Sequence, residues 1–532
     1  MKKLPTGLQV FEHIRRDGAL YVDKTDMIYN IVSDPRRQYF ISRPRRFGKT
    51  LLCWTLNALF SGKRELFEGL AISKTDWAWE SYPIIHLDMS KVGTSEGVDG
   101  VRRSLAFQMK YIASEHEVSL DEEMGIGEML TKTIIETSKK HGKHAVVIVD
   151  EYDKPFLDFF TDPVMAEEVR NILRDCYVQL KANEPHMRFL FMTGISKFTK
   201  AGVFSKLNNL NDLSLDRKFS TLFGYTQEEL VDYFAEHLEA GAKDHGITVE
   251  ELVTKLRNYY NGFSFDGIHK VYNPFSVLCF FQDYQLSNYW IQSGGTKVIA
   301  DYMKSRHLTV EQFRNVPVTR DFANSPGDID TSPPENFFYQ AGYLTLRDPD
   351  VDSFTLDYPN TEVLNSMSLL VAQNIIQHGG AEFMDLRNPL MTALVSGKSE
   401  RIIETINRLL ASIPYDDYVG AAKQALSYSD VEITTQEWLY RSTILAFLRG
   451  CGILAFGEMH NNQGRSDLLV IHRNVPWIIE IKVARDGDND AKAEEAMAQI
   501  NGRQYDAPYQ SAKKLAIAID DKTRQIEKWI VL

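Results

Sequence analysis

The sequence predicts a multidomain α/β protein: an N-terminal parallel sheet flanked by helices, a mostly helical middle region and a small C-terminal α/β domain. Three observations predict it. Four apolar runs, QYFIS (38–42), PIIHLDM (83–89), HAVVIVD (144–150) and RFLFMTG (188–194), are near-continuous rather than alternating. Strands buried on both faces read this way, as in a parallel sheet covered by helices. From about residue 220 to about 425 helical patterns dominate, and after that the order reads α-β-β-β-α-β-β. The expected domains are therefore 1–220, 221–425 and 426–532.

Each element has its own warrant. Leu52, Leu56, Leu59 and Phe60 keep helical spacing after the first strand, and so does PVMAEEVRNILRDCYVQLK (163–181) between the third and fourth. Thr226 and Glu229 in YTQEELVDYFAEHL stand at capping-box spacing, so a helix starts there. AGYLTL and SFTLDY, joined by RDPDVD, predict a hairpin. Residues 315–336 are rich in Pro, Asp, Ser and Asn and read as a long loop. In the last domain TTQEWLYRSTILAFLRGCG reads as a helix, and ILAFGEM and SDLLVIH flank the turn-like HNNQGR. PWIIEIKVA is a strand, DAKAEEAMAQINGRQY a helix, and KKLAIAID and EKWIVL two further strands.

Composition narrows the class. The chain has 532 residues, is 44% hydrophobic and 25% charged, and carries a formal net charge of −12. Nucleic-acid binding would need a local basic patch. Four cysteines lie far apart with no C-x-x-C pair, which argues against a zinc ribbon or a disulfide framework and suits a reducing cytoplasm. The N-terminus lacks an apolar core for a secretory signal, and no run of about 18 apolar residues exists to span a membrane. The expected location is cytoplasmic.

SRPRRFGKT (42–50) is a phosphate-loop candidate with an anomaly. The pattern G-x-x-x-x-G-K-[ST] places its first Gly at Arg43. A strand before the loop and an amphipathic helix after it supply the setting the motif requires. Gly48 lets backbone N–H groups approach phosphate, Lys49 would neutralise the β- and γ-phosphates, and Thr50 would hold Mg²⁺ at the helix N-terminus. Arg46 and Phe47 belong to the same candidate site. Pro44 biases Arg43 to an extended conformation, so the loop can leave the strand without φ > 0 there. The strand ending in Asp150-Glu151 is the expected partner: Asp150 for the Mg²⁺ shell, Glu151 to orient or deprotonate the attacking water. In MTGISKF, Thr193 or Ser196 is placed to sense the γ-phosphate. Six cations and no acid lie between Arg36 and Thr50; Lys49 and some arginines would serve ATP, with the rest solvated.

YVDKT (21–25), SRPRRFGKT, VIVDEYDKP (147–155) and MTGISKF (192–198) together resemble the AAA-ATPase-like family of bacterial proteins. In that family RPRRFGK[ST] is the usual loop, so the resemblance makes Arg43 a normal residue. It continues through LNNLNDLSLD, FGYTQEEL, YYNGFSF, VYNPFSVL and FYQAGYLTL, covering most of residues 5–370. It implies a P-loop NTPase fold that binds ATP.

The strand PWIIEIKVA carries Glu480 and Lys482 on one face, with Ile479 and Ile481 on the other. Asp467 starts the preceding strand, and Glu437 lies on the helix before it. Two or three carboxylates converging on one point make an oxygen site for Mg²⁺, with Mn²⁺ as a substitute, and a lysine beside them can help deprotonate a metal-bound water. EWLY…GRSDLLVI…WIIEIKV…AMAQINGRQYDAPY resembles a PD-(D/E)xK nuclease-like domain. The resemblance gives Asp467, Glu480 and Lys482 the acid–acid–lysine places, Glu437 that of the helix acid and Gln499 a polar position. Tyr505 matches a family position without a clear role, and Ser466 stands where the motif has proline. From Glu437 to the end, 13 acids balance 13 Lys and Arg, so this segment repels a polyanion less than the whole chain does.

The leading expectation is an ATP-dependent or ATP-regulated nuclease, with ATP and Mg²⁺ as cofactors and, on resemblance alone, DNA as the substrate. A nucleotide-gated switch that grips nucleic acid or protein without cutting is the alternative. A translocating motor is a third; it needs an arginine finger, for which Arg170 and Arg174 are candidates. No membrane partner is expected, and a homo-oligomer is left open.

Overall fold

The structure, a computed structural model, describes residues 1–532 apart from 161, 196–208, 294–298, 301, 304–307, 325–332, 376–379, 414–434, 462–463, 507–508 and 510. The chain divides into two compact units, Met1–Ser293 with Asn315–Glu362, and Gly294–Arg314 with Val363–Leu532. The helices assigned by sequence to one middle region are thus shared between them.

The first unit is built on β1 (Gln38–Ser42), β2 (Ile84–Asp88), β3 (Ala145–Asp150), β4 (Met187–Gly194) and the short β5 (Asn211–Asp212). They form one parallel sheet in the order β2-β3-β4-β1-β5. All four apolar runs are strands of it. Every residue of β3 is buried, which is why that run shows no alternation. The order sets β4 between β1 and β3. The phosphate loop and Asp150 therefore leave the sheet at the same end, with the end of β4 between them. Helices Lys49–Phe60, Gly97–Glu115, Ile126–His141 and Pro163–Ala182 complete the α/β layer.

Thr226 caps the helix Gln227–Tyr233 with both hydrogen bonds of the capping box, as its spacing to Glu229 predicts. Glu229 also pairs with the nearly buried Lys24, whose Nζ donates 2.8 Å to Thr221 O. Asp23 accepts from Thr25 and from Ala71 N. YVDKT is therefore a clasp that fastens the N-terminal segment to this helix.

The hairpin exists as β7 (Thr345–Arg347) and β8 (Ser353–Asp357), paired antiparallel. The long loop expected over 315–336 is corrected. Val316–Thr319 forms β6 on the other edge of β8, and Pro334–Ala341 is a helix; residues 325–332 lie outside the described residues. Pro317 masked the strand, and an edge strand tolerates proline.

The second unit holds β9 (Leu454–Asn461), β10 (Gly464–His472), β11 (Val475–Ala484), β12 (Lys513–Asp520) and β13 (Ile526–Val531), in the order β13-β12-β11-β10-β9. With helices Thr435–Gly450 and Asn489–Gly502 it reproduces the α-β-β-β-α-β-β order. β11 and β12 run parallel, joined by the second helix; the other pairs are antiparallel. One face packs its apolar residues, among them Ile479 and Ile481, against helices Thr435–Gly450, Gly380–Ser396 and Ser399–Ala411. The opposite face, with Ile478 and Leu469, meets Met497 and Ile500.

Candidate functional site

The phosphate loop turns on two left-handed residues, Arg46 (φ 66°) and Gly48 (φ 92°), immediately before the helix Lys49–Phe60. Arg43, where the pattern has glycine, is not among them. Its N–H donates 3.1 Å to Gly194 O and so prolongs the β1–β4 pairing. Its guanidinium is 1% exposed and donates to Ser42 O (2.8 Å), Ser214 O (2.9 Å) and Phe219 O (3.3 Å), lying 3.9 Å over the Phe265 ring. Arg43 is thus neither a phosphate ligand nor a solvated charge, which corrects the expectation that the patch arginines divide between those two roles.

Phe47 also faces inward. It packs edge-on against Phe263 at 4.9 Å and Phe265 at 5.6 Å, so its side chain anchors the loop from within. Pro44 lies against Gly342, where an added Cβ would stand 2.5 Å from the proline. NGFSF and QAGYL are therefore the bed under the loop. Arg46 lies over the Phe275 ring at 4.6 Å.

Lys49 is 5% exposed, and its Nζ donates to Arg43 O (3.0 Å) and Pro44 O (2.8 Å), the carbonyls at the start of its own loop. Burial lowers its pKa, against the pull of Glu151 and Asp150. Asp150 is almost wholly buried, and burial pushes its carboxyl up to about 6 although a hydrogen bond from Thr50 acts the other way. Its Oδ1 has no hydrogen-bond partner. A buried orphan carboxylate oxygen beside the Thr50 hydroxyl fits a hard divalent cation. Glu151 adopts φ 51°, a conformation that costs a non-glycine residue energy and that clusters at functional sites.

Thr193 is corrected. It is fully buried and donates 2.9 Å to Ile41 O, so its hydroxyl is spent inside the sheet. Ser196, the other residue proposed to sense phosphate, lies outside the described residues. Sequence reasoning missed Asp153, a buried acid that accepts from Ile195 N at 3.0 Å and ties the end of β4 to the turn after β3. Its signal was the second Asp in DEYDKP. Arg170 pairs with Glu167 and lies over Phe156, and Arg174 donates to Asn171.

In the second unit the ladder between β10 and β11 begins at Leu468 and Ile479. Beyond it side chains replace the backbone pairing: Asp467 N donates 3.2 Å to Glu480 Oε2, and Ile481 N donates 2.8 Å to Asp467 Oδ2. Glu480 is 1% exposed, and its carboxyl is raised well above the usual value, by burial first and by Asp467 second. Its Oε1 has no hydrogen-bond partner. Lys482 Nζ lies 3.6 Å from both Glu480 Oε1 and Glu437 Oε1. Burial alone would lower the lysine's pKa, but Glu437, Glu480 and Asp467 outweigh it and the pKa is raised.

Among the described residues no three His, Cys, Asp or Glu side chains stand close enough to share a metal ion. The metal set expected from Glu437, Asp467 and Glu480 is therefore not assembled, because Lys482 sits between Glu437 and Glu480. Asp467 and Glu480 alone are in direct contact. The orphan Oε1 of Glu480 still suits a divalent cation. Gln499 does not join them: its Nε2 donates 3.3 Å to the Tyr505 hydroxyl.

A parallel sheet with a lysine loop and a buried acid at one end, in one chain with a sheet presenting acid, acid and lysine, defines an ATPase-like module joined to a nuclease-like one. The family model described as "Predicted AAA-ATPase" matches residues 5–204, and that of the "PD-(D/E)XK nuclease superfamily" matches residues 435–529. A curated relative, "Uncharacterized protein in vnfD 5'region" of Azotobacter chroococcum mcd 1, is 30% identical over 525 residues, 96% of this chain and 94% of the relative. The chain belongs to the family of that protein, with an AAA-ATPase-like module followed by a PD-(D/E)XK nuclease-like module. A crystal structure of Cdc6p from Pyrobaculum aerophilum is similar over 66% of this chain and 92% of its own, at 10% identity and a TM-score of 0.21, a likeness too slight to argue from.

Proposed function

We propose that this protein binds and hydrolyses ATP and couples that cycle to Mg²⁺-dependent cutting of nucleic acid, with DNA the favoured substrate. One observation carries the reading. Each module buries a carboxylate oxygen that accepts no hydrogen bond among the described residues, Asp150 Oδ1 and Glu480 Oε1; the first feels the Lys49 charge and the second is ion-paired with Lys482 at 3.6 Å. Buried orphan acceptors cost stability, so their survival at two separate strand ends is best explained by a cation they take up in function.

In the first module Lys49 and the loop N–H groups would hold the phosphates, Thr50 and Asp150 the Mg²⁺, and Glu151 the attacking water. In the second, Asp467 and Glu480 would hold Mg²⁺ or Mn²⁺, and Glu437 would pair with Lys482. The metal would supply an activated water and neutralise the phosphodiester; Lys482 would position that water and take up its proton. The test is cleavage of supercoiled plasmid, single-stranded DNA and RNA by the purified chain with Mg²⁺ or Mn²⁺ and ATP. No cutting of any form would remove the nuclease half of the proposal.

The Lys482 bridge between Glu437 and Glu480 favours a second reading, a nucleotide-gated switch that grips nucleic acid without cutting it. Binding that Lys49→Ala abolishes, with no cleavage in any lane, would select it.

A further inference from the structure

Among the described residues two cations touch the acid site of the second unit, and only one of them belongs to the acid–acid–lysine set. Arg441 lies one helical turn beyond Glu437 on the helix Thr435–Gly450. It is 4% exposed; its Nη2 lies 2.6 Å from Glu458 Oε1 and its Nη1 3.4 Å from Asp467 Oδ1. Contacts thus run unbroken from Glu437 through Lys482, Glu480, Asp467 and Arg441 to Glu458. Four acids and two bases sum to two negative charges when every acid is ionised. Glu458 holds φ 53° within β9, a conformation a glutamate adopts at a cost, and at that place it meets Arg441.

We infer that Arg441 is a charge-setting residue that limits this site to a single divalent cation, and that Glu458 is its counter-ion. The inference rests on the proposed metal site. A guanidinium cannot shed its proton, so its charge is permanent, unlike that of Lys482. Its Nη1 lies 3.4 Å from Asp467 Oδ1, so a second cation approaching that oxygen would meet a fixed positive charge at low dielectric. The two bases differ in function on this account: Lys482 faces the reacting water, whereas Arg441 acts only through the carboxylates it touches and is a positioning residue.

The test is Mn²⁺ binding to the full-length protein without nucleic acid or nucleotide, read by electron paramagnetic resonance and calorimetry. Ions lost in Glu480→Gln define the C-terminal site. Wild type should bind one ion there. Arg441→Gln should bind a second, or bind the first at least tenfold more tightly. Arg441→Lys, which keeps the charge, should resemble wild type. Glu458→Gln should bind several-fold more weakly, so the inference stays testable if Arg441→Gln fails to fold. One ion of unchanged affinity in both Arg441→Gln and Glu458→Gln overturns the inference and leaves the metal site standing. No ion in wild type overturns the metal site itself.

Discussion

Replacing Arg43 with glycine restores the standard phosphate-loop pattern, and the structure predicts that it damages the protein. The guanidinium serves three backbone carbonyls and an aromatic face while almost completely buried. Hydrogen bonds from a charged donor contribute about 1.5–3 kcal/mol each, and two of the three here are short. Stacking on Phe265 adds about 2 kcal/mol in a desolvated site. Burial opposes this: it lowers the guanidinium pKa to about 10, which represents on the order of 3 kcal/mol that the variant recovers. Glycine's extra freedom in the unfolded chain costs about 0.5–1 kcal/mol. At the low end of each range the balance is a loss of about 4 kcal/mol. The first unit has about 340 residues, and at ~2.1 cal/mol/K per residue its Tm should fall by about 6 °C. Scanning calorimetry would read it, using the transition that ATP shifts. A fluorescent ATP analogue should bind no more tightly, because Gly48 and Arg46 already supply the turn. A variant that melts at or above wild type and binds ATP more tightly would refute the reasoning.

Three further outcomes follow from individual contacts. The Glu362 carboxyl accepts from Ser276 Oγ and Trp290 N, and burial raises its pKa to about 8 from 4.5. Between those values the unfolded chain has lost a proton that the folded chain keeps, so stability falls as pH rises. The fall approaches about 5 kcal/mol at 1.36 kcal/mol per unit. Glu362→Gln should flatten that slope and exceed wild type in stability near pH 8; parallel urea-denaturation profiles for the two proteins would contradict it. Glu229→Ala should cost more than Thr226→Ala, about 3 against about 1 kcal/mol, because it also strands the nearly buried Lys24 charge. Lys24→Met with Glu229→Leu should recover most of the Glu229→Ala loss in a double-mutant cycle, and additive losses would count against the pairing. Lys49→Ala should weaken ATP binding by at least tenfold in equilibrium titration while leaving the circular dichroism spectrum intact; unchanged binding would remove the loop from the site.

Much of the architecture was legible because it is local. Apolar runs, capping-box spacing and a turn-rich joint each report a few neighbouring residues, and they located β1 to β4, the Thr226 cap, the β7–β8 hairpin and the C-terminal order. What sequence could not supply is contact across long separations. Arg43 looks like a loop cation until Ser214, Phe219 and Phe265 close round it. Thr193 looks free until β1 is laid beside it, because only the sheet order shows that Ile41 O accepts its hydrogen bond. Pro317 hid β6, since a proline demotes a strand in any local reading. At the acid site Asp467, Glu480 and Lys482 were visible by alternation. Arg441 and Glu458 were not, because one belongs to a helix read only for Glu437 and the other to a strand read only as half of a hairpin. The metal set was expected assembled, whereas the structure shows Lys482 placed between two of its carboxylates.

The central claim is that one module's nucleotide governs the other module's chemistry. The most direct test is the initial rate of supercoiled-plasmid cleavage with Mg²⁺, with and without ATP, in wild type, Lys49→Ala and Lys482→Ala. The account predicts that ATP changes the wild-type rate, that Lys49→Ala removes the ATP effect without removing the site, and that Lys482→Ala cuts nothing under either condition. A wild-type rate that ATP leaves unchanged, or equal cutting by wild type and Lys482→Ala, would contradict it.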